Sequence, residues 1–223
     1  MGNNIFYYPH QLETDRPMLA YLKGDKFSLA VDAGNSAAHV DEFYGALKAR
    51  GLSPPDFTVI THWHWDHSFG MHHSAGVSIA HRKTNDFLRR ERDKLSNSTY
   101  IDFLKEDDPC LGREYAGGKE ITVVPSDLEF SDELILDLGG LTAVIYHTVS
   151  PHSEDTTLIY VPEEKKLFLG DATSEDFFNH GYMDKHKLQM LIREIEKTDC
   201  RYCILSHAEP LAKLDLLDYL YTL

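Results

Sequence analysis

Six consecutive residues carry most of the chemistry this chain offers. His62-Trp63-His64-Trp65-Asp66-His67 holds four side chains with nitrogen or oxygen donors, the ligand density that a borderline metal such as Zn2+ requires. The run before it, Phe57-Thr58-Val59-Ile60-Thr61, is rich in β-branched residues and reads as a strand. With that strand ending near Thr61, alternation sends His62 and His64 the same way, while Asp66 and His67 follow on the turn. Three further donors stand where other apolar runs stop: His152 after 141–149, Asp171 after 166–170 and His207 after 201–206. Loops along one edge of a rigid sheet are where sites are built, so these separate strand ends point to one centre.

The elements that must position these residues follow from periodicity. Strands are expected at 18–24 and 26–34, joined at Lys23-Gly24-Asp25-Lys26. A helix over 37–50 follows from Val40, Phe43 and Leu47, with Gly51 as its stop. Another strand is expected at 77–81, and then a strongly charged helical insertion at about 82–108, with Phe87, Leu88, Leu95, Phe103 and Leu104 as its apolar positions. A second β-rich half has strands at 120–125, 133–138, 141–149, 156–162 and 166–171. Asp184 caps a helix over 185–198 whose apolar stripe is Leu188, Leu191, Ile192 and Ile195. A strand at 201–207 and a short helix at 211–221 end the chain. This order predicts an α/β (α+β) four-layer αβ/βα sandwich, two mixed sheets covered by helices, rather than a Rossmann wind. One domain is expected over 1–223.

Composition narrows the function. The chain has 223 residues, 42% of them hydrophobic, 13 His, three Cys and a formal net charge of −14. That is the balance of a soluble globular protein. The acidic charge opposes nucleic-acid binding, and three Cys cannot build a disulfide framework. No apolar run approaches the ~20 residues of a membrane span. The N-terminus lacks the pattern of a secretory signal, and Phe6 stands where a myristoylation motif has Ser or Thr. A cytoplasmic protein acting on a small-molecule substrate, without a membrane or nucleic-acid partner, is the expectation; the sequence does not specify an oligomeric state.

With these residues in place, the chain resembles the metallo-β-lactamase-fold superfamily of metal-dependent hydrolases. That family carries H-x-H-x-D-H, matched by His62, His64, Asp66 and His67. It has a loop His, matched by His152 in Ser-Pro-His-Ser, with Pro151 where Gly is usual. A strand-end Asp is matched by Asp171 in Leu-Gly-Asp, and a last His by His207 in Leu-Ser-His. Asp32, in Ala-Val-Asp-Ala-Gly, fits the family's structural Asp, and the likeness runs from about 27 to 210. It implies two zinc ions, with Fe or Mn as alternatives. One ion would take His62, His64 and His152, the other Asp66, His67 and His207, with Asp171 bridging. It also implies a metal-bridging hydroxide as nucleophile and a catalytic role for Asp66 in orienting that nucleophile or moving its proton. His147 competes with His152 for the third His position; the Pro-His-Ser loop favours His152, while alternation makes His147 a strand side chain.

Within the family, Asp171 separates the chain from true β-lactamases, and His64, where flavodiiron proteins usually have Glu, separates it from those. With only residues 208–223 after His207, the helical domain of a glyoxalase II is not expected. The expected activity is cleavage of a small ester, thioester or lactone. Alternatives are a phosphodiesterase on the same site, an iron-dependent redox enzyme of the fold, or a metal-binding scaffold without turnover. Other features read more blandly. Cys200 and Cys203 are buried thiols. His72 and His73 are solvated or support a ligand, and Asp32 and Asp56 are candidate acceptors for ligand N–H groups. Trp63 and Trp65 pack the walls. Phe177, Phe178, His180 and Tyr182 form either a pocket wall or a surface loop. Arg82, Arg89, Arg90, Arg92 and Lys94 form either a solvated helix face or a lid that selects substrate.

Overall fold

Alternation along the strands decides the layering. In the computed structural model, which describes residues 4–223, one face of each central strand meets the opposite sheet and the other meets helices. The first sheet holds β1 (Ile5–Tyr8), β2 (Leu19–Lys23), β3 (Ser28–Val31), β4 (Phe57–Val59), β5 (Val77–His81) and β6 (Leu128–Phe130) in chain order. β1 to β3 are antiparallel, and β3 to β6 are parallel. The second holds β7 (Glu133–Asp137), β8 (Thr142–His147), β9 (Thr157–Val161), β10 (Lys166–Gly170), β11 (Tyr202–Leu205) and β12 (Leu211–Ala212), with only β10 and β11 parallel.

Between the sheets pack Leu22, Leu29, Val31, Val59, Ile145, Ile159 and Phe168. Their neighbours along the same strands face outward. Leu19, Tyr21 and Ala30 meet α1 (Ala37–Ala49) through Phe43 and Leu47. Ile60 and Ala80 meet the residues that follow, α2 (Trp65–Ser68), α3 (Arg82–Lys94), α4 (Ser98–Asp107) and α5 (Pro109–Glu114), chiefly through Phe69, Leu88 and Leu111. Leu158, Leu167 and Leu169 meet α6 (Lys185–Lys197) and α7 (Lys213–Leu220) through Leu191, Ile195, Leu216 and Leu220. Asp184 caps α6 by accepting from the backbone N–H of His186 and Lys187, a contact worth about 1 kcal/mol. Two mixed sheets with flanking helices are therefore the architecture, as the element order predicts. No helix among the described residues is long and apolar enough to cross a membrane.

The departures are local. β1 has no strong signal of its own; it exists because Ile5 to Tyr8 pair with Leu22 to Leu19. The expected strand at 120–125 is absent. Ile121 and Val123 are buried against the α3–α5 layer, so their alternation records packing and not pairing, and Pro125 has no N–H to give a ladder. The helical insertion continues past 108 through α5, whose first turn Asp108 caps at the N–H groups of Cys110 and Leu111. Cys200 lies before β11, not on it, so both thiols share the layer under α6 and α7.

Candidate metal centre

β4 stops at Val59, and the chain then crosses the end of the first sheet in an extended turn before α2. One buried carboxylate organises that turn. Asp32, just past β3 and in the left-handed region at φ 63°, accepts from the Thr61 N–H at 2.7 Å, from Thr61 Oγ1 at 2.9 Å and from His67 Nδ1 at 2.8 Å. Asp56, the other candidate acceptor, instead clamps Ser28 through its N–H and hydroxyl. The proton of Thr61 Oγ1 is committed to Asp32, so Oγ1 must accept from His62 Nδ1, 3.1 Å away. These bonds fix the tautomers: His62 and His67, when neutral, both present a bare Nε2.

The second sheet closes over this turn. The Thr157 N–H donates to the Thr61 carbonyl at 2.8 Å, joining the sheets at the site itself. His152 lies in the loop after β8, and its Nδ1 donates to the Glu175 carbonyl at 2.7 Å. Its Nε2 therefore carries the lone pair and faces His62 Nε2 at 3.2 Å and His64 Nδ1 at 3.0 Å. The register of β10 against β11 shifts between Phe168 and Gly170, and this bulge sets the direction of Asp171. Gly170 adopts φ +57°, and a Cβ there would meet Thr61 Oγ1 at 2.8 Å, so the two halves touch at a position only glycine fills.

All seven predicted donors converge. The ligand atoms of His62, His64 and His152 lie within 4.8 Å of one another, as do those of Asp66, His67, Asp171 and His207. Asp171 Oδ2 faces both groups, 3.3 Å from His67 Nε2, 3.4 Å from His207 Nε2 and 4.0 Å from His152 Nε2. Asp66 Oδ2 is 3.0 Å from Nε2 of both His67 and His207. His147 lies elsewhere. Its ring stacks on His81 with centroids 4.2 Å apart, and its Nε2 meets the Glu154 carbonyl.

The electrostatics match a cation on this donor set. Bare lone pairs on His62 and His152 point at each other, an arrangement stable only with positive charge between them. Burial, reinforced by the neighbouring imidazoles His67 and His64, drives His62 well below the usual imidazole range. Burial and then His152 take His64 down to about 3. The other group is opposite in sign. Burial would raise the Asp66 carboxyl, but His67 and His207 hold it well below the usual carboxylate range. Burial would lower His67, but Asp66, Asp171 and Asp32 carry it well above its ordinary value. One group is thus three imidazoles, and the other two carboxylates beside two imidazoles that those carboxylates hold toward the protonated form; a divalent metal in place of those protons suits both.

Above the cluster opens a cleft of about 490 Å3. Phe177 and Phe178, the loop residues left between wall and surface, line it. Phe178 packs on His64 and Trp63 at 5.0 Å, and Phe177 on His152 at 5.4 Å. Trp65 lines it as well and donates its Nε1–H to Asp108 at 2.9 Å. Tyr182, His180 and the α3 cations do not line it. Arg89 pairs with Asp86 and Glu129, and Lys94 with Glu91, as a solvated helix face does. His73 pairs with Asp41, and His72 meets the Phe69 carbonyl. Sequence reasoning missed Leu12, Asp15, Asp107 and Asp108, which complete the cleft from the N-terminal turn and the α4–α5 junction. Nothing local in the chain marks them; only the fold brings them there.

Comparison with known proteins agrees with this geometry. The chain is 25% identical over 186 residues to an acyl-coenzyme A thioesterase (MBLAC2) of Gallus gallus, covering 77% of this chain and 64% of that protein's length. Among solved structures it superposes on a metallo-β-lactamase from Pontibacter korlensis with a TM-score of 0.65 at 16% identity, covering 100% of this chain and 97% of that one. An archaeal superfamily protein from Sulfolobus tokodaii superposes with a TM-score of 0.67 at 19% identity, covering 100% and 86%. The family model for the metallo-β-lactamase superfamily matches residues 18–207, a span that contains the Asp32 support and all seven clustered donors. By fold, by motif and by this match, the chain belongs to the metallo-β-lactamase superfamily.

Proposed function

We propose that this protein is a metal-dependent hydrolase of small acyl compounds, with thioesters first and esters and lactones close behind. The observation that carries the reading is the meeting of the two donor groups at Asp171 on the floor of an aromatic-walled cleft. The thioesterase named among its relatives supports a thioester, although this chain spans only 64% of that relative's length. We assign His62, His64 and His152 to one zinc ion and Asp66, His67 and His207 to a second, with Asp171 between them. A divalent metal held there supplies Lewis acidity, which makes water available as hydroxide near neutral pH.

The chain's own residues do the rest. Asp32, Thr61 and the Glu175 carbonyl hold the imidazoles in the tautomers that leave Nε2 free. Asp66 has its Oδ2 among the donors with His67 and His207, and its carboxylate, at the cleft floor, orients the attacking water or takes up its proton and passes it to the leaving group. Phe177, Phe178 and Trp65 offer the acyl portion an apolar wall. In balance, water oxygen bonds to the acyl carbon, the carbon–sulfur bond breaks, and the thiolate leaves with one water proton.

The test is thiol release from short-chain thioesters by zinc-loaded protein, with metal content measured on the same sample. Turnover that disappears with chelator and returns with zinc supports the reading. Turnover no faster than the chelated control, on thioesters, esters and lactones alike, overturns it.

A further inference from the structure

One buried carboxyl has no part in the donor cluster and, among the described residues, no cation to balance it. Asp155 is fully buried, three residues after His152 in the loop between β8 and β9. Its Oδ1 accepts from the Ser153 hydroxyl, while its Oδ2 has no hydrogen-bond partner. Burial raises the carboxyl. The hydroxyls of Ser153 and Thr84, its own N–H and the N–H of Trp63 act against that, and no Lys, Arg or His is among them. Thr84, in the first turn of α3, is itself fully buried with an unpartnered Oγ1. An under-bonded carboxyl in the interior costs stability, so packing alone gives no reason for an acid at this position.

Its place in the fold supplies one. Ser153 belongs to the loop that carries His152, and Trp63 stands between His62 and His64. Asp155 therefore lies where the two segments that furnish the three-His group meet. The loop is closed on itself by Ser150 Oγ and Thr156 Oγ1, 2.6 Å apart, and by the Thr148 N–H, which donates to the Thr156 carbonyl at 3.0 Å. It thus meets the hexapeptide as a unit, with Asp155 on the side of Trp63. The other donor group has such a carboxylate in Asp32, which holds His67 and Thr61. We propose, resting on the metal assignment above, that Asp155 is the positioning residue of the three-His group. It holds the Trp63 segment against the His152 loop, so that Nε2 of His62, Nδ1 of His64 and Nε2 of His152 converge. It has no comparable hold on Asp66, His67 and His207.

The test is zinc titration of the full chain against a chelating dye, with His152→Ala marking which of the two ions belongs to the three-His group. Asp155→Leu, similar in shape, should weaken that ion about tenfold and leave the other within about twofold. The Tm of the zinc-free variant should stay within about 4 °C of the parent. Asp155→Asn, which still accepts from Ser153, should bring the affinity back to within about threefold of the parent. Equal weakening of both ions, weakening of neither, or a zinc-free Tm lowered well beyond that margin makes Asp155 a structural residue and overturns the proposal. Should Asp155→Leu fail to fold, Ser153→Ala takes its place, with a loss of about threefold confined to the three-His ion; a loss shared by both ions, or none, overturns the proposal. If the parent binds no zinc at the three-His group, the metal assignment fails, and amide exchange in the zinc-free protein decides the role of Asp155. The Trp63 N–H should then exchange about tenfold faster in the variant than in the parent, with the amides of β2 and β9 unchanged, and equal rates at Trp63 overturn the proposal.

Discussion

The two halves of the sandwich deliver the clustered donors differently. The first half supplies His62, His64, Asp66 and His67 from one stretch, the turn after β4 and the α2 that follows it. The second supplies His152, Asp171 and His207 singly, from the loops after β8, β10 and β11. In the first half a local hydrogen-bond web around Asp32 sets the geometry. In the second, each donor is aimed by strand position, a bulge or a backbone carbonyl. A cluster assembled this way depends on one local carboxylate on one side and on sheet packing on the other.

The largest effect should come from the second half. Asp171→Ala removes the one carboxylate that faces both groups, so zinc stoichiometry and thioester hydrolysis should fall together, the latter by about 1,000-fold. Near-normal turnover with both metals retained would refute the ligand assignment. His152→Ala should cost about 100-fold in kcat/KM, whereas His147→Ala should stay within about threefold because its ring sits with His81. The reverse order would exchange their roles.

On the first side, Asp32→Asn should weaken zinc binding about tenfold through the lost support of Thr61 and His67, read by competition with a chelating dye. Unchanged affinity would show that the web is structural only. The smallest effect is on acid stability. His39 is fully buried beside that web, and burial, aided by Arg16, lowers it to about 3. The unfolded chain binds that proton from about pH 6.5 downward while the folded chain refuses it until about pH 3, so His39 costs stability as pH falls through this window. The Tm of His39→Gln should accordingly decline less steeply in acid than that of the parent, and parallel curves would exclude His39 as a source of the slope.

This contrast also explains what could be read in advance. Ligands packed into one hexapeptide announce themselves, and the strand-end positions of His152, Asp171 and His207 follow from alternation and turn residues. The choice of His152 over His147 was available from the same reasoning, since a residue within a strand is committed to packing. Asp15, Asp107 and Asp108 were not legible, because they reach the cleft only after the N-terminal turn and the α4–α5 junction fold against α2. The absent strand at 120–125 fails for a related reason. Alternating Ile121 and Val123 satisfy burial against helices as readily as pairing, and the sequence does not distinguish the two.

Gly170 gives the site a mechanical tolerance. At its closest point the clearance between the halves is smaller than a methyl group, with Thr61 on the far side. A side chain there would act as a wedge, moving Asp171 away from the imidazoles of the first sheet while leaving both sheets intact. The donor cluster is thus a gauge of sheet separation. Whatever pries the sandwich apart at that seam is registered as lost metal affinity before it is registered as lost secondary structure.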